Sequence, residues 1–227
     1  MSRNASIPNT PPYRMPLVLV DLVLLAVQQG RLQVMLSHRE EAPFSGQWGL
    51  PGGVLRIDLD VSLEAAAQRV ANERLGRGLS NLAQVVTVGG PDRDPRAPWA
   101  MTVVYSSLVS SDLETTPGKR VQALKWKPIS ELDTGEPLAF DHAKLIHMAA
   151  QQLRQAVRDL RFPARATPGD FTLPQLQALS ESILDERLDK VTFRRRVVAA
   201  GLVEPVTGSM RGGAHRPAQV YRFRSLP

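Results

Sequence analysis

The sequence predicts a mixed α/β (α+β) chain of two modules. Three observations carry this. Charge is partitioned: residues 1–149 hold 15 Lys/Arg and 15 Asp/Glu, residues 150–227 hold 13 and 7, so the whole net charge of +6 lies in the back third. Residues 161–169 (RFPARATPG) carry two prolines and a glycine without apolar periodicity after Phe162, which marks a joint. Across that joint the hydrophobic spacing changes, from strands interleaved with helices to helix, helix, strand, strand. The expected division is an arm over 1–13, a first module over 14–162, a linker over 163–170 and a second module over 171–227.

Each element has its own signal. Residues 1–13 are polar with three prolines. Residues 17–26 are an apolar strand, 28–30 (QQG) a turn, and Leu32, Val34 and Leu36 alternate along a partner strand. Residues 43–53 form a Gly/Pro loop. Residues 62–75 are helical, since Leu63, Ala66, Ala67, Val70, Ala71 and Leu75 recur at helical spacing and Gly76 can end the helix. Strands are expected at 85–88, 100–109 and 123–128. Residues 144–160 make a long amphipathic helix striped by Leu145, Met148, Ala149, Leu153, Ala156, Val157 and Leu160.

Composition removes several function classes. With 43% hydrophobic and 22% charged residues the chain is of globular type, not wholesale disorder. It has no cysteine, which excludes disulfide frameworks, cysteine-ligated zinc, iron–sulfur clusters and thiol catalysis. The longest apolar run, 15–27, has 13 residues and carries Asp21, too short and too charged to cross a bilayer. A cytoplasmic protein without a membrane partner is expected.

In the second module Thr172 can cap a helix and Gln175 completes a capping box. Leu173, Leu176, Leu179, Ile183 and Leu184 form the buried stripe of that helix. A second helix follows at about 190–200, capped by Asp189 and stopped by Gly201. Its apolar positions Val191, Phe193, Val197 and Val198 are expected against Leu176, Leu179 and Ile183. Lys190, Thr192, Arg194, Arg195 and Arg196 then point outward. Residues 202–206 are a short strand, 207–217 (TGSMRGGAHRP) a basic glycine-rich tip, and 218–224 the returning strand. This order is that of a winged helix-turn-helix. Residues 190–227 hold eight basic side chains against Glu204 alone, which suits double-stranded DNA. Arginine reads guanine bidentately, and residues of the first helical turn approach bases or phosphates. The candidate DNA contacts are Thr172, Gln175, Lys190, Thr192, Arg194, Arg195, Arg196, Arg211, His215 and Arg216.

Residues 48–53 (WGLPGG) and the helix ending at Gly76 resemble the Nudix box, G-x5-E-x7-R-E-U-x-E-E-x-G-U, where U is a bulky aliphatic residue. Arg69 takes the motif arginine and Glu73 the first of the paired glutamates. In that pattern the helix glutamates share one face and hold Mg²⁺ or Mn²⁺ against substrate phosphates. Here three of the four carboxylate positions read Val61, Val70 and Arg74, and the loop is two residues longer. The expectation is no enzyme: no catalytic residue, no metal site and no required cofactor. Asp58, Asp60 and Glu64 are the displaced carboxylates to consider, although Glu64, nine positions before Glu73, should face the opposite way.

Segments 30–39 (GRLQVMLSHR), 43–53, 91–96 (PDRDPR), 138–146, 171–184, 188–205 and 216–223 are together similar to the NrtR family, Nudix-related transcriptional regulators of NAD metabolism. The resemblance implies an N-terminal Nudix-like α/β/α sandwich followed by a winged helix. It implies a homodimeric repressor of NAD biosynthesis or salvage genes on a palindromic operator. The implied effector is ADP-ribose or a related NAD-derived nucleotide. Carried onto this sequence, the effector-site candidates are Arg39, Trp48, Gly52, Gly53, Arg69, Glu73, Arg93 and Asp94. The alternatives are a metal-dependent hydrolase of nucleoside diphosphate derivatives, a regulator sensing a sugar, or an interaction protein whose basic tail docks an acidic protein or RNA.

Overall fold

The apolar strand β1 (Leu17–Gln28) is buried on both faces, and this organises the first module. The computed structural model describes residues 15–110, 112–163, 169–212 and 217–224. The expected arm, most of the linker, and the candidates His215 and Arg216 lie outside the described residues. Along β1, Val23 and Leu25 join Leu36, Leu145, Ile146 and Leu153 in one core. Val20, Leu22 and Leu24 join Ala66, Val70, Leu75 and Tyr105 in the other. A strand covered on both faces reads as a continuous apolar run. Each fully buried aliphatic side chain contributes about 1.5–3 kcal/mol.

Gln29 and Gly30, at φ 51° and 71°, turn β1 into β2 (Arg31–Arg39). Two left-handed residues match the hairpin to the strand twist. Next come β3 (Trp48–Gly49), β4 (Gly52–Val54), α1 (Leu63–Leu75), β5 (Ala83–Gly90), β6 (Ala100–Leu108), β7 (Val121–Pro128) and α2 (His142–Arg158). The seven strands form one sheet in the order β3-β2-β1-β6-β5, with β4 beside β1 and β7 beside β2. Only the β1–β6 pair is parallel among the described pairs. α1 covers one face and α2 the other, an α/β/α sandwich. β3 and the start of β4 lie inside the expected loop.

In the second module β8 (Phe171–Thr172) precedes α3 (Leu173–Leu184), α4 (Lys190–Ala199), β9 (Val203–Arg211) and β10 (Ala218–Phe223). The three strands pair as β8-β10-β9. The capping box is present, with Gln175 N–H donating to Thr172 Oγ1 and Thr172 N–H to Gln175 Oε1. Phe171, Leu173, Leu176, Phe193, Val197 and Val203 make this core.

Three expectations need correction here. Val191 and Val198 are 71% and 54% exposed, so only Phe193 and Val197 of the α4 set pack inward. The stripe of α3 is divided: Leu173 and Leu176 serve the winged-helix core, whereas Ile183 and Leu184 join the core beneath α2. β9 runs on to Arg211, with Gly208 at φ 72°, so the expected tip is half strand. The two modules are therefore joined through α3. Arg154 Nε donates to Ile183 O at 3.0 Å, and Arg158 pairs with Glu186 at 3.2 Å.

Candidate functional site

A cavity of about 400 Å³ opens between the α1 edge, β1, β2, β4 and the loops before β6 and α2. Eight Arg/Lys side chains line it against four Asp/Glu, so residues 1–149, of zero net charge, carry a cationic cleft. Arg39, Gly52, Gly53, Arg69, Glu73, Arg93 and Asp94 all line it.

Trp48 does not. It sits in a separate depression, under Lys125 Nζ at 3.8 Å and beside His38. Successive residues of a strand face opposite ways. The neighbouring Gly49 takes the inward position, where a Cβ would come within 2.7 Å of His142 Nδ1.

The α1 edge is held by charge. Arg69 donates to both Asp60 oxygens at 2.7 and 2.8 Å, to Val54 O at 2.9 Å, and to Glu73 at 3.3 Å. The Asp60 side chain is 1% exposed. Arg69's hydrogen bonds hold the Asp60 carboxyl below the usual carboxylate range despite burial. Val61, the position aligned with the first motif glutamate, is 94% exposed, so the acid opposite Arg69 is one residue earlier. Asp58 pairs with exposed Arg56. Glu64 accepts from Tyr105 Oη on the other side of α1, as its helical angle requires.

The remaining motif positions do not fit a divalent cation. Val70 is fully buried beneath Gly53. Arg74 Nε donates to Gly52 O at 2.8 Å and Nη1 to Lys119 O at 2.6 Å. Mg²⁺ and Mn²⁺ need several oxygen ligands. Glu73 is the one motif carboxylate here, and it is tied to Arg69 with a second guanidinium beside it. Among the described residues no group of three or more His, Asp or Glu could hold a metal ion.

The far wall is built around Asp21, the acid within the apolar run. It is 4% exposed and accepts from Thr102 Oγ1 at 2.8 Å, with Arg93 at 3.6 Å and His142 Nε2 at 3.8 Å. Leu50 N–H donates to His142 Nδ1 at 2.8 Å, so the ring proton sits on Nε2, towards Asp21. Burial pushes the His142 pKa down and keeps the ring neutral. Arg93 grips Asp141, the N-cap position of α2, through two bonds at 2.9 and 3.1 Å. Arg96 grips buried Asp94 at 2.6 and 2.9 Å. Burial opposes ionisation of Asp94, but those bonds prevail and hold its carboxyl low. Arg39 lies over Phe140, 4.9 Å from the ring centroid, and burial lowers its pKa. The sequence reading missed Asp21, Arg96, Lys119, Arg120, Phe140 and His142. Asp21 carried a signal, a lone charge in a buried strand.

On the second module the three consecutive arginines diverge. Arg195 is exposed between Val191 and Val198, at i−4 and i+3 on one face of α4. Arg196 Nη2 donates to Arg158 O at the end of α2, at 2.9 Å. Arg194 is half-buried, and its buried Nε has no hydrogen bond among the described residues. Lys190 and Thr192 are exposed in the first turn of α4. Thr172 is buried, and its hydroxyl and the Gln175 carboxamide are occupied by the cap. Arg211 donates to Gln175 Oε1 at 3.0 Å.

Comparison with known proteins matches two families along the chain. Residues 16–149 match the NUDIX domain family and residues 163–223 the NrtR DNA-binding winged helix domain. The ADPR responsive transcriptional repressor NtrR of Acinetobacter baylyi is 36% identical over 214 residues, 93% of this chain and 83% of that protein. The crystal structure of Shewanella oneidensis NrtR complexed with a 27mer DNA is similar with a TM-score of 0.72 at 33% identity, over 91% of this chain and 93% of that one. The NUDIX domain of the same protein, complexed with ADP ribose, gives 0.61 at 35% identity over 67% of this chain and 99% of that one.

Proposed function

The chain belongs to the NrtR family of Nudix-related regulators, and from that premise we propose a DNA-binding transcriptional repressor controlled by ADP-ribose or a related NAD-derived nucleotide. The observation that carries the reading is α2. This 17-residue helix, about 25 Å long, starts at the cationic cleft and ends against the winged helix. At its start Arg93 holds Asp141 and His142 faces Asp21. At its end Arg154 holds Ile183 O and Arg158 O accepts from Arg196.

The cleft suits a nucleotide diphosphate better than a sugar. Its excess of guanidinium groups complements phosphate charge, and Arg39 stacked on Phe140 offers a flat face to a base. Effector phosphates compete with Asp141 for Arg93, release the start of α2, and change how its end holds α3 and α4. The protein does not hydrolyse its effector, because Val70 and Arg74 replace two carboxylates and Glu73 is committed to Arg69.

On DNA, Arg195 reads a guanine while Val191 and Val198 meet thymine methyl groups. Lys190, Thr192, Arg194 and the wing residues Arg211, His215 and Arg216 contact the backbone. Arg196 divides its time between DNA and α2. Thr172 and Gln175 contribute by holding Arg211. Residues 163–170 link the modules. The protein acts in the cytoplasm as a homodimer on a palindromic operator of NAD biosynthesis or salvage genes. The test is a mobility shift of the upstream intergenic DNA against a shuffled duplex at fixed salt. Selective retardation of the native sequence supports the reading, and equal retardation of both refutes it.

A further inference from the structure

The Nudix fold brings the expectation of a divalent cation, and the residues at that position do not fit one. We infer that the guanidinium of Arg74 stands in for the cation, so that the effector's diphosphate binds this cleft as a metal-free anion. The inference rests on the effector reading above and adds to it the identity of the phosphate-binding group.

Arg74 is fixed as a resident cation would be. Gly52 O and Lys119 O, from β4 and the loop before β7, accept from Nε and Nη1 at 2.8 and 2.6 Å. Two carbonyl oxygens are ordinary partners for a cation, and here they orient the guanidinium plane. The loop is itself locked to the end of α1: Lys119 N–H donates to Glu73 O at 2.7 Å and Gly118 N–H to Arg74 O at 3.1 Å. Only glycine serves at 118, since a Cβ there would overlap Glu73 O.

Nη2 is 3.9 Å from where a Cβ on Gly53 would lie. Both residues line the cavity; the Cβ position at Gly53 already abuts Val70 Cγ2 at 3.0 Å, so a phosphate oxygen reaches Nη2 from the cavity side. Val70, packed beneath, gives no oxygen that a metal would need. With Nε and Nη1 held by carbonyl oxygens, Nη2 is the nitrogen left to donate to a phosphate oxygen, whereas a divalent cation would first have to overcome the charges of Arg74 and Arg69. Burial destabilises the charged form of Arg74, a penalty that a bound anion relieves.

The experiment is calorimetric titration of the full chain with ADP-ribose, and separately with inorganic pyrophosphate, in EDTA and in millimolar Mg²⁺. Wild type, Arg74→Ala and Arg74→Lys are compared, with thermal melting of each free protein as the check on folding. The expected result is ADP-ribose affinity in EDTA that Mg²⁺ does not improve. Arg74→Ala should weaken it about 10- to 100-fold, the loss of a charge-assisted pair, and Arg74→Lys less. A wild type that needs Mg²⁺, or an Arg74→Ala protein that binds as wild type does, overturns the inference and leaves the effector reading standing. If ADP-ribose fails to bind while pyrophosphate binds through Arg74, the effector reading falls and the anion site stands. If neither ligand binds in either buffer, both fall.

Discussion

Replacing Asp60 by alanine separates a structural carboxylate from a metal ligand. Asp60 is almost wholly buried and accepts three hydrogen bonds, from Arg69 Nε and Nη2 at 2.7 and 2.8 Å and from Arg56 N at 2.7 Å. Breaking a buried pair by removing one partner costs about 3–5 kcal/mol. Arg69 is 16% exposed and keeps Glu73 at 3.3 Å and Val54 O at 2.9 Å. The expected loss is therefore lower, about 2–3 kcal/mol. For a chain of this size each kcal/mol moves Tm by about 2–4 °C, so Asp60→Ala should melt about 4–12 °C below wild type. The assay is thermal unfolding near neutral pH with and without millimolar Mg²⁺. Because the Asp60 carboxyl is held low in the folded state, its contribution is present above its ordinary value of 3.8 and is lost as pH falls through the folded value. Wild type should thus lose more stability than Asp60→Ala on acidification. An unchanged Tm, or a wild-type Tm that Mg²⁺ raises only when Asp60 is present, would refute the structural assignment.

Further outcomes follow from the same geometry. His142 is buried neutral among Asp21, Asp141, Arg93 and Arg39, and its pKa is lowered below 6.5. Below that value the unfolded chain binds a proton that the folded one does not, so stability falls by up to about 1.4 kcal/mol per pH unit. Urea unfolding at about pH 7 and about pH 5.5 should show this drop in wild type and a flatter profile in His142→Gln. Arg195→Ala should weaken operator binding by about 1–3 kcal/mol and relax preference at one base pair. Lys190→Ala should weaken all duplexes alike and reduce the salt slope by about one, read by anisotropy across salt concentrations. Arg196→Ala removes the contact with Arg158 O and should shrink the effect of ADP-ribose on operator affinity.

Much of this was legible in the sequence because local rules and the fold agree. The double-sided burial of β1 shows as an apolar run interrupted by Asp21, α1 as an i, i+3, i+4 pattern ended by a left-handed glycine, and the start of α3 as a capping box. What stayed hidden depends on pairing across long separations. Trp48 faces away from the cleft because β3 is a two-residue strand whose facing is set by β2, with His38 opposite Trp48. The partner of Arg69 is Asp60 and not Val61, a pairing across the lengthened loop that alignment to the motif does not place. His142 reaches Leu50 across 92 residues, a contact that no periodicity encodes. The stripe of α3 was correctly apolar, yet periodicity cannot say that Ile183 and Leu184 belong to a different core from Leu176.

The central claim is that the cleft and the DNA-binding helix are linked through α2. The direct measurement is a double titration: operator affinity with and without saturating ADP-ribose, and ADP-ribose affinity with and without operator, in one buffer. The account predicts that each ligand changes the affinity of the other by the same factor, larger than about fivefold, as linkage requires of two sites that share a conformational equilibrium. Operator and ADP-ribose that bind independently, each with an affinity untouched by the other, would contradict it.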